Sequence, residues 1–88
     1  MITKELLNSV SDLVKTGPIS ERSVELLRCS FPGVHFTYCM DDDVIGASPV
    51  LEDRSFNLYL VDSSNHCLSF TQDMETASGL VLAELEEE

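Results

Sequence analysis

The sequence predicts an α+β domain in which an N-terminal antiparallel helix pair packs on an antiparallel meander of three or four strands. Three observations predict it. Apolar residues recur at helical spacing as far as Leu27, the period switches to two from Val34, and turn chemistry separates the later apolar runs. Residues 1–88 read as a single domain: a helical hairpin over 1–33, a sheet over 34–85 with a long acidic loop over 41–55, and an acidic tail over 86–88.

Ile2, Leu6, Leu7, Val10, Leu13 and Val14 form one apolar stripe, Lys15 sits in the last turn, and Gly17-Pro18 supplies the stop. Ser20 then reads as an N-cap, with Glu21 in the first turn where the helix dipole favours an anion. Ile19 before the cap and Val24 after it have the spacing of a hydrophobic staple. This second helix is expected to end near Cys29, before Pro32-Gly33. Val24, Leu27 and either Phe31 or Leu26 should face the core.

From Val34 the pattern alternates. Val34, Phe36, Tyr38 and Met40 point one way and His35, Thr37 and Cys39 the other. Phe56, Leu58 and Leu60 alternate with Asn57, Tyr59 and Val61 in a second strand. After the turn residues Asp62-Ser63-Ser64-Asn65, a third strand sets His66, Leu68 and Phe70 against Cys67, Ser69 and Thr71. Gln72 to Ser78 reads as a loop or a single helical turn. Leu80 to Ala83 with Leu85 reads as a fourth strand, because Gly79 precedes a short run; a short helix is the alternative. With both helices on one face of this sheet, the other is expected to stand open to solvent. That face would carry His35, Thr37, Cys39, Asn57, Tyr59, Val61, Cys67, Ser69 and Thr71, a semi-polar surface with a tyrosine at its centre.

The charge balance narrows the function. Five Lys and Arg against sixteen Asp and Glu give a net charge of −11, although the 43% apolar and 24% charged fractions are ordinary. Neutralising phosphates needs clustered Lys and Arg, so nucleic acid is not an expected partner, and an anionic membrane surface is excluded on the same ground. A protein partner with a basic surface would instead be attracted, with an on-rate that falls as salt rises. Self-association through the open sheet face or an edge strand is the expected route to a homodimer. No run of eighteen apolar residues spans a membrane. The start Met1-Ile2-Thr3-Lys4-Glu5 reads as a helix start and not as a signal peptide. Three cysteines, Cys29, Cys39 and Cys67, are an odd set for a disulfide framework, which points to reduced thiols and the cytoplasm.

The loop Asp41-Asp42-Asp43-Val44-Ile45-Gly46-Ala47-Ser48-Pro49-Val50-Leu51-Glu52 has the acids, glycine and final glutamate of a calcium-binding EF-hand loop. Ile45 and Pro49 occupy ligand positions and a strand precedes the loop, so a solvated acidic loop or a docking loop is the better reading. His35 with Cys39, and His66 with Cys67, invite a metal. Four residues along a strand span about 13 Å, and adjacent strand residues face opposite ways, so neither pair closes on one ion by itself. Zinc spacings are absent, and the same geometry leaves neither local Cys–His pair placed for nucleophilic catalysis, although a strand order other than the simple meander could bring His35 and Cys67 together. Carboxylates are plentiful but fall in loops or at the end of the chain, and no glycine-rich phosphate loop occurs.

The stretch Leu27-Arg28, then Phe31-Pro32-Gly33-Val34-His35-Phe36-Thr37-Tyr38-Cys39-Met40-Asp41-Asp42-Asp43-Val44, then Phe56 to Asp62 and His66-Cys67-Leu68, resembles a family of small uncharacterised proteobacterial proteins found in nitrogen-fixation gene neighbourhoods. The resemblance covers Leu26 to Glu84. It implies an accessory role in nitrogenase assembly, maturation or electron supply, and it brings no catalytic residue with it. Iron–sulfur traffic in that setting gives the metal alternative some added weight.

The expectation is therefore a non-enzymatic accessory protein with no cofactor of its own. Asp41, Asp42, Asp43, Glu52 and Asp53 would steer a basic partner and Tyr59 would pack against it. The alternative is a metal or iron–sulfur carrier using Cys39 and Cys67 with His35 and His66, its ligands shared across a dimer interface. A thiol enzyme is a third reading, which would need one abnormally reactive cysteine.

Overall fold

Helix α1 spans Lys4–Val14 in the computed structural model, which describes residues 2–17, 19–62 and 69–85. Thr3 is extended, and its Oγ1 accepts the Leu6 N–H at 3.1 Å, which starts the helix after Ile2. Ile2 is nonetheless buried, and its N–H donates to the Met74 carbonyl at 2.9 Å. Leu7, Val10 and Val14 face the core, with Leu6 and Leu13 half-buried at its margin. Helix α2 spans Glu21–Ser30. Ser20 Oγ accepts the Arg22 N–H, and Ser23 Oγ accepts the Ser20 N–H, both at 3.2 Å, so the cap is reciprocal. Val24 and Leu27 are buried and Phe31 is half-buried beside them. Leu26 is 47% exposed, since one residue rotates it about 100° away from Leu27.

The strands are β1 His35–Met40, β2 Leu51–Glu52, β3 Phe56–Asp62, β4 Ser69–Thr71 and β5 Gly79–Glu84. The last run is thus a strand and not a helix. The expected antiparallel meander of three or four strands is corrected on two counts. Among the described residues the sheet has five strands and it is mixed, in the order β1-β5-β3-β2, with β4 also paired to β3. β5 lies between β1 and β3, parallel to the former and antiparallel to the latter. The reason is apolar content: Leu80, Val81, Leu82 and Ala83 are all buried, and a strand apolar on both faces belongs at the centre of a sheet. β2 and β4 share the far edge of β3, β2 beside Asn57 and Leu58 and β4 beside Leu60 to Asp62.

The register sorts side chains cleanly. Leu58 lies opposite Leu82 and Leu60 opposite Leu80, which in turn faces Phe36. With Phe56 these meet both helices in one core. On the reverse face Tyr59 lies opposite Val81, and Asn57 and Cys39 flank Ala83. His66, Cys67 and Leu68, expected to open the third strand, lie outside the described residues, as does Pro18 of the helix stop.

Gly79 is where β5 meets β1. The His35 N–H donates to the Ser78 carbonyl at 3.1 Å, and a Cβ built on Gly79 would stand 2.5 Å from the His35 carbonyl oxygen. Only glycine lets the two backbones approach this closely. Gly79→Ala is therefore expected to cost about 1–3 kcal/mol and to lower the melting temperature by roughly 4–8 °C per kcal/mol. Gly17→Ala, at a position with nothing within 4 Å of a new Cβ, should leave it nearly unchanged. Thermal unfolding followed by circular dichroism compares the two.

Candidate functional site

The sheet face expected to be open is covered. Tyr59, Val61, Val81 and Ala83 form a second, smaller core on it, closed by Val44 and Ala47 of the acidic loop and by the half-buried Cys39. Tyr59 is only 4% exposed, so its ring is not offered to a partner as an open face would offer it. His35, Thr37 and Ser69 remain exposed at the margins, while Asn57 and Thr71 are half-buried.

The loop is also more regular than its sequence suggests. Asp41–Asp43 form one 3-10 turn, with the Val44 N–H donating to the Asp41 carbonyl at 3.0 Å. Asp41 is held from below: the Tyr59 hydroxyl donates to its Oδ1 at 2.7 Å and the Asn57 amide at 3.1 Å. Farther on, the Gln72 amide donates to the Ser48 carbonyl at 3.2 Å and the Val50 N–H to the Leu58 carbonyl at 2.7 Å. Gly46 takes φ of +76°, a left-handed conformation that suits glycine, at a bend between Val44 and Ala47. With its two neighbours in the roof packed inward, Ile45 projects outward at 86% exposure. Sequence reasoning missed Ile45. Its signal was an apolar residue set between acids and a glycine in a loop.

These contacts divide the expected acidic residues into three groups. Asp41 is an internal acceptor that pins the roof. Asp53 turns to the helix side, where its Oδ2 meets Lys15 Nζ at 2.9 Å. The Lys15 ammonium holds the Asp53 carboxyl below its usual range and is itself raised by that carboxylate. Asp42, Asp43 and Glu52 are exposed. Glu52 pairs with Asn57, the residue whose amide holds Asp41, so these acids gather at one end of the sheet. Phe70, 45% exposed, stands edge-on to Tyr59 with ring centres 5.7 Å apart and adds a second apolar contact surface to this face.

A family profile described as a family of unknown function, DUF6129, matches residues 11–85. The chain belongs to this family. No curated protein and no solved structure matches it. The span shared with the family runs from the middle of α1 to the end of β5, and so takes in the whole sheet and its roof.

Among the described residues no three His, Cys, Asp or Glu side chains are grouped to hold a metal ion, and no helix is long and apolar enough to cross a membrane. His35 and Cys39 stand four residues apart on β1, His35 exposed and Cys39 half-buried. His66 and Cys67, the other half of the expected ligand set, lie outside the described residues. Burial pushes the Cys39 thiol up, and the carboxylates of Asp43 and Asp41 push it further, which disfavours the thiolate a nucleophile or ligand needs. Cys29, by contrast, is exposed on α2.

Both tyrosines are held in the phenol form. The Tyr38 hydroxyl donates to Glu84 Oε1 at 2.6 Å and is pushed up to about 12, mainly by that bond. Tyr59 is raised first by burial and then by its bond to Asp41. Tyr38 has a folded value above its ordinary 10.0, so the stability it contributes is whole below pH 10 and is lost as pH rises toward 12. Phenolate absorbance should accordingly appear near pH 10 in the unfolded chain and distinctly later in the folded one. Coincident titrations would contradict the two bonds. Alkylation of the native protein, mapped by peptide, should label Cys29 well before Cys39.

Proposed function

We propose that this chain is a non-enzymatic accessory protein that docks a protein partner with a basic surface on its loop-covered sheet face. The observation that carries the reading is the division of labour within one short loop. Asp41 is spent in holding the loop to Tyr59 and Asn57, and this leaves Asp42, Asp43 and Ile45 directed outward from a fixed base. Exposed carboxylates within a Debye length of one another attract a basic surface and orient it before contact. Ile45 and Phe70 then supply apolar area that a charged rim by itself would lack.

The arrangement favours binding over catalysis. Its carboxylates are exposed or already paired, and its half-buried thiol is held protonated. The setting we propose is support of nitrogenase assembly or electron supply, on the resemblance carried by the stretch from Leu26 to Glu84. A partner in that setting would be captured from nitrogen-fixing cells under anaerobic conditions.

Asp42→Lys/Asp43→Lys should keep its melting temperature, because both positions are exposed. It should lose affinity for the captured partner on the order of tenfold, with a flatter salt dependence. Ile45→Ala should leave association unchanged and speed dissociation roughly fivefold. Surface plasmon resonance across a salt series reads both. Unchanged affinity and salt slope in the lysine variant would sink the reading.

A further inference from the structure

Strand β1 ends the sheet on the side away from the acidic loop's partner strand β2, and among the described residues no strand lies beyond it. Its backbone polarity can be read from two bonds. The His35 N–H points at Ser78, so the odd-numbered residues of β1 address β5. The Phe36 carbonyl instead receives Arg28 Nη2 at 2.9 Å from α2, so the even-numbered residues face outward. Arg28 closes that one acceptor. Tyr38 and Met40 still turn N–H and C=O groups away from the sheet, and the Phe36 N–H turns the same way.

A cleft of about 260 Å³ runs beside this edge, between α2 and β1, lined by Glu21, Val24, Glu25, Arg28, Thr37 and Tyr38. Glu21 and Glu25 are exposed on α2, and the hydroxyl of Tyr38 donates to Glu84. An extended segment laid along β1 would direct every second side chain toward this cleft.

We propose that the open edge of β1 takes an extended, basic peptide segment as an added strand. Main-chain bonds to Tyr38 and Met40 would give affinity, and a Lys or Arg in the cleft beside Glu21 and Glu25 would give selectivity. Charge decides the occupant. A second copy would bring another −11 of like charge to an edge already flanked by glutamates, whereas a basic segment is attracted to it. The capped Phe36 carbonyl limits the pairing to a short stretch. It also protects the edge against the indiscriminate strand-to-strand association that a bare edge invites. This site uses neither Asp42, Asp43 nor Ile45, so it stands or falls apart from the loop face.

The test titrates the full chain with the acetylated, amidated heptapeptide Thr-Lys-Val-Lys-Val-Lys-Thr at millimolar concentration, followed by backbone amide NMR. Controls are the same peptide with alternate amides N-methylated and a glutamate version. The proposal expects shifts centred on the amides of Phe36, Tyr38 and Met40 with the lysine peptide, and none there with either control. Glu25→Lys, on the exposed face of α2, should weaken binding roughly two- to fivefold without unfolding the protein, while Asp42→Lys/Asp43→Lys should leave these shifts in place. The proposal is overturned if the methylated peptide shifts the same amides equally, if the response centres on residues 42–45, or if the β1 amides move only on dimerisation of the chain.

Discussion

Two strands of this sheet are apolar on both faces, and that constraint organises everything around them. In β5 the run Leu80 to Ala83 is entirely buried, and in β3 so are Leu58, Tyr59, Leu60 and Val61. The helix pair covers one side. Burying a valine or leucine side chain is worth about 1.5–3 kcal/mol, so leaving Val61, Val81 and Ala83 wet on the other side would forfeit much of the stability of a small domain. Residues 44–47 close that side. The loop that carries the acids is therefore a structural part of the fold, as well as its candidate contact surface.

The arrangement of the acids follows from this double duty. A carboxylate over an apolar face needs donors, and Asp41 receives two, from Tyr59 and Asn57. A hydrogen bond to a charged group is worth about 1.5–3 kcal/mol, enough to fix the turn from which Asp42, Asp43 and Ile45 project. Asp53, on the hairpin that joins β2 to β3, is engaged with Lys15 on the helix side. What seemed one acidic stretch of chain is thus an anchor, an ion pair and an exposed remainder. Only the exposed remainder is suited to long-range attraction.

Much of this was legible in the residues. The stripe from Leu7 to Val14, the Ser20 cap and the alternation in β1 and β3 each follow from local spacing, and local spacing survived folding. The strand order did not follow, because the parallel pairing of β1 with β5 joins His35 to Gly79 across half of the chain. No local pattern encodes such a contact. The roof was missed for a related reason. Tyr59 between Asn57 and Val61 reads as a semi-polar solvent face, yet its partners Val81 and Ala83 come from a strand whose position was not readable. Once those four residues share a face, a cover is required. Arg28 illustrates the same limit: it is an exposed residue in the last turn of α2, and its role at the Phe36 carbonyl exists only when β1 is the sheet edge.

The acidic loop is a fixed roof and not a solvated coil, and the rest of the reading depends on this. Native-state hydrogen exchange tests it at two amides, Val44, which donates to the Asp41 carbonyl, and Val50, which donates to that of Leu58. Both should exchange slowly in the free protein, and Tyr59→Phe, by releasing Asp41, should speed Val44 far more than the amides of β5. Exchange of Val44 and Val50 at unprotected rates, beside a well-protected β3 and β5, would contradict it.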